Sequence, residues 1–307
     1  MAWKKNTDGR WEYIYRPQKT LTKIIQQDWL KEHRYKPGQY PPKFFENIEK
    51  ELTLIERGYW AYAMDGDGDI TRLGKKGTAI RVRISLTDRE PIQRLADLYG
   101  TSISCKKIIN EDWKSLYVVQ IYSERAFHFL CLICPYMTEK RKKATQLINI
   151  FDPNYHPPKI SMNFKQNPDM INPHMGMVAG FFDTEGSVGL RIQRTKYKTK
   201  DLGERIYSSL AGWVEFSNTD IRPMRKIKKI LETWPFTFKP KLDSCVRKNI
   251  TKNKGVCKIE YKLRIPTNHH LLFMKIFSPW ILITRKREYA EKFERKKQIY
   301  KICDENE

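Results

Sequence analysis

Two acidic clusters are the residues best suited by type and spacing to chemistry. The first stands in YWAYAMDGDGDI at 59 to 70, the second in MVAGFFDTEGSVGL at 177 to 190. Asp65, Asp67 and Gly68 recur as Asp183, Glu185 and Gly186 at a single offset of 118, which makes Asp67 and Glu185 equivalent positions. Each cluster closes an apolar, helix-like run. Acids placed there meet the negative pole of the helix macrodipole, at a cost of about 0.3–1 kcal/mol per charge. Two such ends side by side add like-charge repulsion. A divalent cation relieves both effects. Carboxylate oxygens with room for water suit Mg2+, which keeps several waters and binds substrate phosphates. Such a cation lowers the pKa of an attacking water and neutralises charge developing at phosphorus and on the leaving oxygen. The expected reaction is phosphodiester hydrolysis.

Other chemistries fit less well. Asp65, Asp67 and Asp69 imitate the first ligands of a calcium loop, but Ile70 stands where that loop needs glycine and Lys76 where it needs glutamate. Solvated helix ends would explain one acidic cluster; a matched pair asks for more. Cys131 and Cys134 lie within the apolar run FLCLIC and are expected as buried thiols of a helix, while Cys245 and Cys257 are too remote to complete a zinc pattern. His269 and His270 open a helix and are expected to have no catalytic role. No GxxxxGK[ST], HExxH or nucleophile elbow occurs, so nucleotide hydrolysis, zinc proteolysis and serine esterase chemistry lack support.

The elements that must position the acids repeat too. RVRISLTDREPIQRLADLYG (81 to 100) parallels WVEFSNTDIRPMRKIKKILE (213 to 232), with Ser85, Thr87, Asp88 and Pro91 recurring as Ser217, Thr219, Asp220 and Pro223 at offset 132. VVQIYSERAFHFLCLICPY (118 to 136) parallels KLRIPTNHHLLFMKIFSPW (262 to 280) at offset 144. The chain is a tandem duplication. Ile80, Val82 and Ile84 alternate as in a half-buried strand, and Ile92, Leu95, Ala96 and Tyr99 make one helical face with Thr87 or Asp88 as N-cap. The second copy answers with Val188, Leu190 and Ile192, with Met224, Ile227 and Leu231, and with Ile259, Tyr261, Leu263 and Ile265. Each unit is predicted as helix, hairpin, helix, hairpin, helices. The expected divisions are an N-terminal extension at 1 to 50, a first repeat at 51 to 150, a linker at 151 to 173 with five prolines, and a second repeat at 174 to 302. The extension matches neither repeat and suits either a DNA-contacting arm or a packing element.

With 58 Lys and Arg against 35 Asp and Glu, the net charge of +23 points to a polyanionic partner, most often nucleic acid, and disfavours small-molecule metabolism. A 40% hydrophobic content argues against general disorder, and the longest apolar run, Phe129 to Met137, is far below a membrane span. Six scattered cysteines and no apolar signal segment lead to the expectation of a reducing compartment, either bacterial or phage cytoplasm or an organelle.

The stretches WAYAMDGDG (60 to 68) and VAGFFDTEG (178 to 186) resemble the LAGLIDADG motif, and residues 55 to 300 resemble a single-chain, two-motif LAGLIDADG homing endonuclease. The pair is specific because each member is followed by a hairpin, a TD-x-x-P helix start and a later basic helix. The resemblance implies an α+β fold of two pseudo-symmetric αββαββα repeats whose antiparallel sheets form a DNA-binding saddle. The motif helices would pack together along the pseudo-twofold axis. Tyr62 stands where a small residue usually permits close approach, so packing is expected to shift there. Asp67 and Glu185 would be the catalytic metal ligands, each serving one strand, with Asp65 and Asp183 structural. Nearby bases would tune the site as further catalytic residues: the family's lysine after the proline of the fourth helix is matched in PYMTEKRKK by Lys140. In the second copy Thr284 lies at the same distance from Pro279, and Lys286 fits with a two-residue insertion. A family glutamine near the second strand is not clearly matched; Arg81 and Trp213 fall near it.

Recognition is expected from the sheet faces opposite the apolar alternation: Arg72, Lys75, Arg81, Arg83 and Gln120 in the first copy, and Arg191, Gln193, Arg194, Lys258, Glu260, Lys262 and Arg264 in the second. Arg and Lys pair with guanine edges, Gln with adenine and Glu with cytosine in the major groove. Glu185 lies 32 residues before Ser217 whereas Asp67 lies 18 before Ser85, so the second copy's first hairpin is longer and the target is expected to be long and asymmetric. The implied activity is a monomeric, Mg2+-dependent double-strand DNA endonuclease leaving short 3′ overhangs in intron or intein homing. The alternative is an intron-splicing maturase that binds RNA, and a third class is a regulator that only binds DNA; retention of both acids favours the enzyme.

Overall fold

The computed structural model describes residues 2–5, 11–14, 42–73, 79–106, 115–199, 203–248, 257–284, 286–288, 291–292 and 295. Side chains before Phe44 and at 190–211, 246–248 and 257–258 lie outside that description. The chain divides into two units, Met1–Gln39 and Tyr40–Glu307. In the first, β1 (Ala2–Lys5) and β2 (Trp11–Ile14) pair antiparallel.

The larger unit holds both repeats. It begins with α1 (Pro42–Glu51), inside the expected extension, whose Ile48 is fully buried and whose Phe45 and Glu49 meet His128 of the first repeat. This part of the extension packs. Then α2 (Leu54–Asp67) starts on a capping box in which Thr53 and Glu56 exchange hydrogen bonds. After it come β3 (Asp69–Leu73), β4 (Ala79–Leu86), α3 (Arg89–Leu98), β5 (Ile103–Lys106), β6 (Leu116–Tyr122), α4 (Ser123–Ile133) and α5 (Arg141–Ile148). The second repeat runs α6 (Ile171–Glu185), β7 (Gly186–Thr199), β8 (Gly203–Asn218), α7 (Ile221–Glu232), β9 (Lys241–Lys248), β10 (Cys257–Arg264) and α8 (His270–Phe277). Both copies therefore read αββαββα, and the fold is α+β. Their sheets share one antiparallel order, β3-β4-β6-β5 and β7-β8-β10-β9. Among the described residues, no helix is long and apolar enough to cross a membrane.

The periodicities act as read. Ile80, Val82 and Ile84 are fully buried beneath the first sheet, as are Ile92, Leu95, Ala96 and Tyr99 of the helix packed on it and Met224, Ile227 and Leu231 in the second copy. Cys134 is buried and Cys131 half-buried, and burial pushes the Cys131 thiol up to about 12, which leaves it inert.

Between the repeats, α2 and α6 pack backbone to backbone. A Cβ added at Gly58 would fall 1.9 Å from the Pro173 carbonyl oxygen, one at Gly176 1.8 Å from that of Ile55, and one at Gly180 2.2 Å from that of Tyr59. Close approach thus runs through Gly58 and its equivalent Gly176, with Gly180 added on one side. Tyr62, equivalent to Gly180, is fully buried, edge-on to Phe181, with its hydroxyl 2.9 Å from Thr138 Oγ1.

Three expectations change. Helix α6 begins at Ile171, inside the segment expected as linker, because Pro173 sits in the first turn where no amide partner is lost. Ile259 is 50% exposed although it continues the apolar alternation of β10 that buries Leu263 and Ile265. Arg72 pairs with Ile80, next to the Ile70–Val82 pair, and therefore projects to the helix-covered side rather than the open face. It is exposed because it lies at the sheet's margin.

Candidate active site at the ends of the paired helices

Both motif helices end at a glycine in extended conformation, Gly68 and Gly186, and neither carries a basic residue in its last turn. The orphan carbonyls are met from elsewhere. Lys140, the N-cap residue of α5, places Nζ 2.7–3.0 Å from the carbonyl oxygens of Met64, Asp65, Gly66 and Gly68. Lys286 places Nζ 2.6–2.7 Å from those of Phe182, Asp183 and Gly186. At offset 118 these are the same carbonyls, so Lys286 and not Thr284 occupies the place of Lys140. Each ammonium sits on the negative pole of a helix, where a cation is most stabilised. Burial holds the Lys140 pKa below its usual value despite the nearby carboxylates.

Asp65 and Asp183 are buried beneath these ends. Asp65 accepts from the backbone amides of Thr138 at 2.6 Å and Lys140 at 2.8 Å, one on each oxygen. Asp183 gathers its donors on Oδ2: the Tyr59 hydroxyl at 2.7 Å and the amides of Leu282 at 2.7 Å and Ile283 at 3.2 Å. Its Oδ1 meets no hydrogen-bond partner, and burial lifts its pKa to about 6. Both residues tie a helix end to the loop that carries the lysine.

Asp67 and Glu185 are what remain at the surface of the junction. Glu185 lies over the end of the opposite helix: a Cβ at Gly66 would fall 3.2 Å from its Oε1. Desolvation, then the charges of Asp67 and Glu139, raise its pKa to about 7 against the pull of Lys286 and Lys140. Asp67, with one side open to solvent, is raised by partial desolvation and lowered by the same two lysines. Glu185 lines an open pocket with Asp65, Gly66, Glu139, Ser217, Asn218, Thr219 and Glu260. Glu139 escaped the sequence reading; its only signal was an acid directly before Lys140. Among the described residues, no group of three or more His, Cys, Asp or Glu is placed to hold a metal ion. Two carboxylates at a repelling junction still fit a cation that completes its shell with water and phosphate oxygens.

The open sheet faces flank this junction. In the first, Arg81 reaches Asp69 at 3.4 Å and Thr71 at 3.2 Å, Arg83 pairs with Gln120, and Gln120 accepts from the Tyr122 hydroxyl at 2.7 Å. In the second, Lys262 and Arg264 share Glu215 at 3.6 and 3.3 Å, and Arg264 also meets Asp243 at 3.2 Å. Glu260 shares their face but is buried, where it accepts from the Cys245 thiol on the neighbouring strand. It also lines the pocket that holds Glu185. Lys75 lies outside the described residues, as do the side chains of Arg191, Gln193, Arg194 and Lys258. The second hairpin is longer as expected, with strands of 14 and 16 residues against 5 and 8. His270 is buried with Nε2 2.8 Å from the Ile265 carbonyl oxygen.

No family model matches the sequence, and no curated protein matches it. Among solved structures the chain is similar to the LAGLIDADG meganuclease I-AabMI bound to uncleaved DNA, at 12% identity over 80% of this chain and 92% of that one, with a TM-score of 0.49. The chain resembles LAGLIDADG homing endonucleases. A second likeness is to the homing endonuclease I-WcaI bound to its DNA recognition sequence, at 14% identity over 86% of this chain and 97% of that one, TM-score 0.41. A third is to I-SmaMI bound to an uncleaved DNA target in the presence of calcium ions, at 14% identity over 81% of this chain and 92% of that one, TM-score 0.36. In LAGLIDADG terms the first motif runs from Trp60 to Gly68 and the second from Val178 to Gly186, each inside one of the two paired helices.

Proposed function

We propose that this protein is a monomeric, site-specific DNA endonuclease of the LAGLIDADG kind that uses a divalent cation, best Mg2+, to break both strands and leave short 3′ overhangs in intron or intein homing. One observation carries the reading. Two equivalent helix ends converge, and the Glu185 carboxyl stands against the opposite end with its pKa lifted to about 7 by burial and by Asp67 and Glu139, an arrangement that a bound cation relieves.

Asp67 and Glu185 hold the cations, each acting on one strand. When bound, the metal supplies charge neutralisation at the scissile phosphate and a more acidic water. Lys140 and Lys286 fix the helix ends so that both acids keep their position when charged. Arg81, Arg83, Gln120, Lys262 and Arg264 face the duplex from the open sheets, and the +23 charge draws it in.

The test is selection of cleaved members from a randomised duplex library with Mg2+, repeated with Ca2+. One family of long, asymmetric sites cut with short 3′ overhangs in Mg2+ is expected. A library left intact in Mg2+ while the protein binds a self-splicing intron RNA more tightly than its intronless DNA, across a salt series, would replace this reading with the maturase.

A further inference from the structure

The open face of the second sheet carries a large apolar side chain among charged neighbours. Val214 and Phe216 of β8 are buried in the core, so Trp213, Glu215 and Ser217 point the other way. Trp213 is 38% exposed, two residues from the Glu215 that binds Lys262 and Arg264. Its cross-strand partner is Gly189. A Cβ at Gly189 would fall 2.1 Å from Trp213 Cζ2 and 2.4 Å from Cη2. The indole lies across the neighbouring strand in a seat that any other residue would fill. Glycine weakens a strand interior, and a site of close approach is one of the few reasons to find it there. The equivalent of Trp213 in the first sheet is Arg81, engaged with Asp69 and Thr71, so the indole belongs to the second half alone.

Its position along the sheet sets what it meets. Trp213 lies four residues before Ser217, which lines the pocket with Glu185, and Gly189 lies four after Glu185. At about 3.4 Å per residue that is roughly 14 Å, or about four base pairs of B-DNA. A two-stranded ribbon at that distance enters the major groove, where the apolar feature on base edges is the thymine C5 methyl. An indole face fixed on a polar sheet matches that group, since the face itself makes no hydrogen bond and the ring's single N–H leaves it free for apolar contact.

We propose that Trp213 reads a single thymine methyl, about four base pairs from the cut, in the half-site engaged by the second sheet. The inference rests on the endonuclease reading. The probe is the duplex recovered from the library selection, with each thymine of that half-site replaced in turn by deoxyuridine, which lacks only the methyl. Affinities of the full-length protein and of Trp213→Ala are measured in Ca2+. For the wild type, one position near the fourth base pair should lose about fourfold in affinity on the swap, the loss expected for about 0.8 kcal/mol per buried methyl-sized group. In Trp213→Ala the same swap should change nothing. Gly189→Ala keeps the indole but unseats it, and should also abolish the discrimination. A Trp213→Ala protein that still prefers thymine over deoxyuridine there, or a wild type with no methyl-sensitive position in that half-site, overturns the proposal while leaving the endonuclease intact. Recovery of no cleaved duplex would instead overturn the endonuclease reading itself.

Discussion

The ends of α2 and α6 are the same device built twice, and they differ where it matters for reactivity. Each is closed by a lysine on three or four carbonyl oxygens and by a buried aspartate bonded to the lysine's loop. Asp65 spreads its donors over both oxygens, whereas Asp183 concentrates three on Oδ2 and recruits Tyr59 from the opposite helix. Above them, Asp67 stays open to solvent while Glu185 leans over the junction beside Glu139. The clamp on the helix end is the same in both copies, while the acids stand in unequal electrostatic surroundings. The two strand cuts are therefore expected to respond differently to pH and metal.

The largest effect should come from the acids themselves. Asp67→Asn and Glu185→Gln are each expected to keep duplex binding and to lower double-strand cleavage by about 1,000-fold or more. Scored on supercoiled plasmid, the two variants should leave nicks on opposite strands; loss of the same strand in both would break the assignment of one acid per strand. The helix junction comes next. Gly58→Ala or Gly176→Ala drives a methyl into backbone on the facing helix, with an expected loss of about 3 kcal/mol in chemical unfolding. Equal losses would show that both halves share the junction's load. Lys140→Met and Lys286→Met should each cost about 2–3 kcal/mol by stranding helix-end carbonyls. An unchanged midpoint for either would remove the clamp from the comparison.

The smallest effect is the most diagnostic of asymmetry. Glu185 has a folded-state pKa of about 7 against 4.5 for an unperturbed glutamate. Its neutral form favours the fold, and that contribution is full below pH 4.5 and lost as pH rises through 7. Without divalent metal, Glu185→Gln should match the wild type near pH 5 and exceed its stability by about 1–2 kcal/mol at pH 8.5, after allowance for solvent on its exposed side. Adding Mg2+ should narrow the gap, because the wild type keeps both acids and gains more from binding it than the variant, which keeps Asp67 alone.

Most of the fold was legible because it is written in periodicity. Ile80, Val82 and Ile84, or Ile92, Leu95 and Tyr99, carry a two- or three-and-a-half-residue rhythm that burial then obeys. The acids were legible because they recur at one offset. The clamp was not, since a lysine that binds backbone carbonyls has no side-chain partner to leave a mark in the sequence. Lys286 was ambiguous for the same reason: only space, not its count from Pro279, decides between it and Thr284. Arg72 and Ile259 were misplaced because alternation fixes which side a residue faces but not whether it is covered there, and the parity of a short strand depends on where it starts. The burial of Glu260 was not legible because its cross-strand neighbour, Cys245, is invisible until the register is known.

The glycine and tyrosine at equivalent places along the junction also bear on how the chain came to be one polypeptide. Two copies of the first half, brought together as a symmetric pair, would set Tyr62 where Gly180 now stands, at a spot where even one added carbon collides with the Tyr59 carbonyl. The second half keeps the small residues that self-pairing demands, Gly176 and Gly180. A symmetric pair of first halves would therefore collide there, and the single chain gives the first half a mate it can fit.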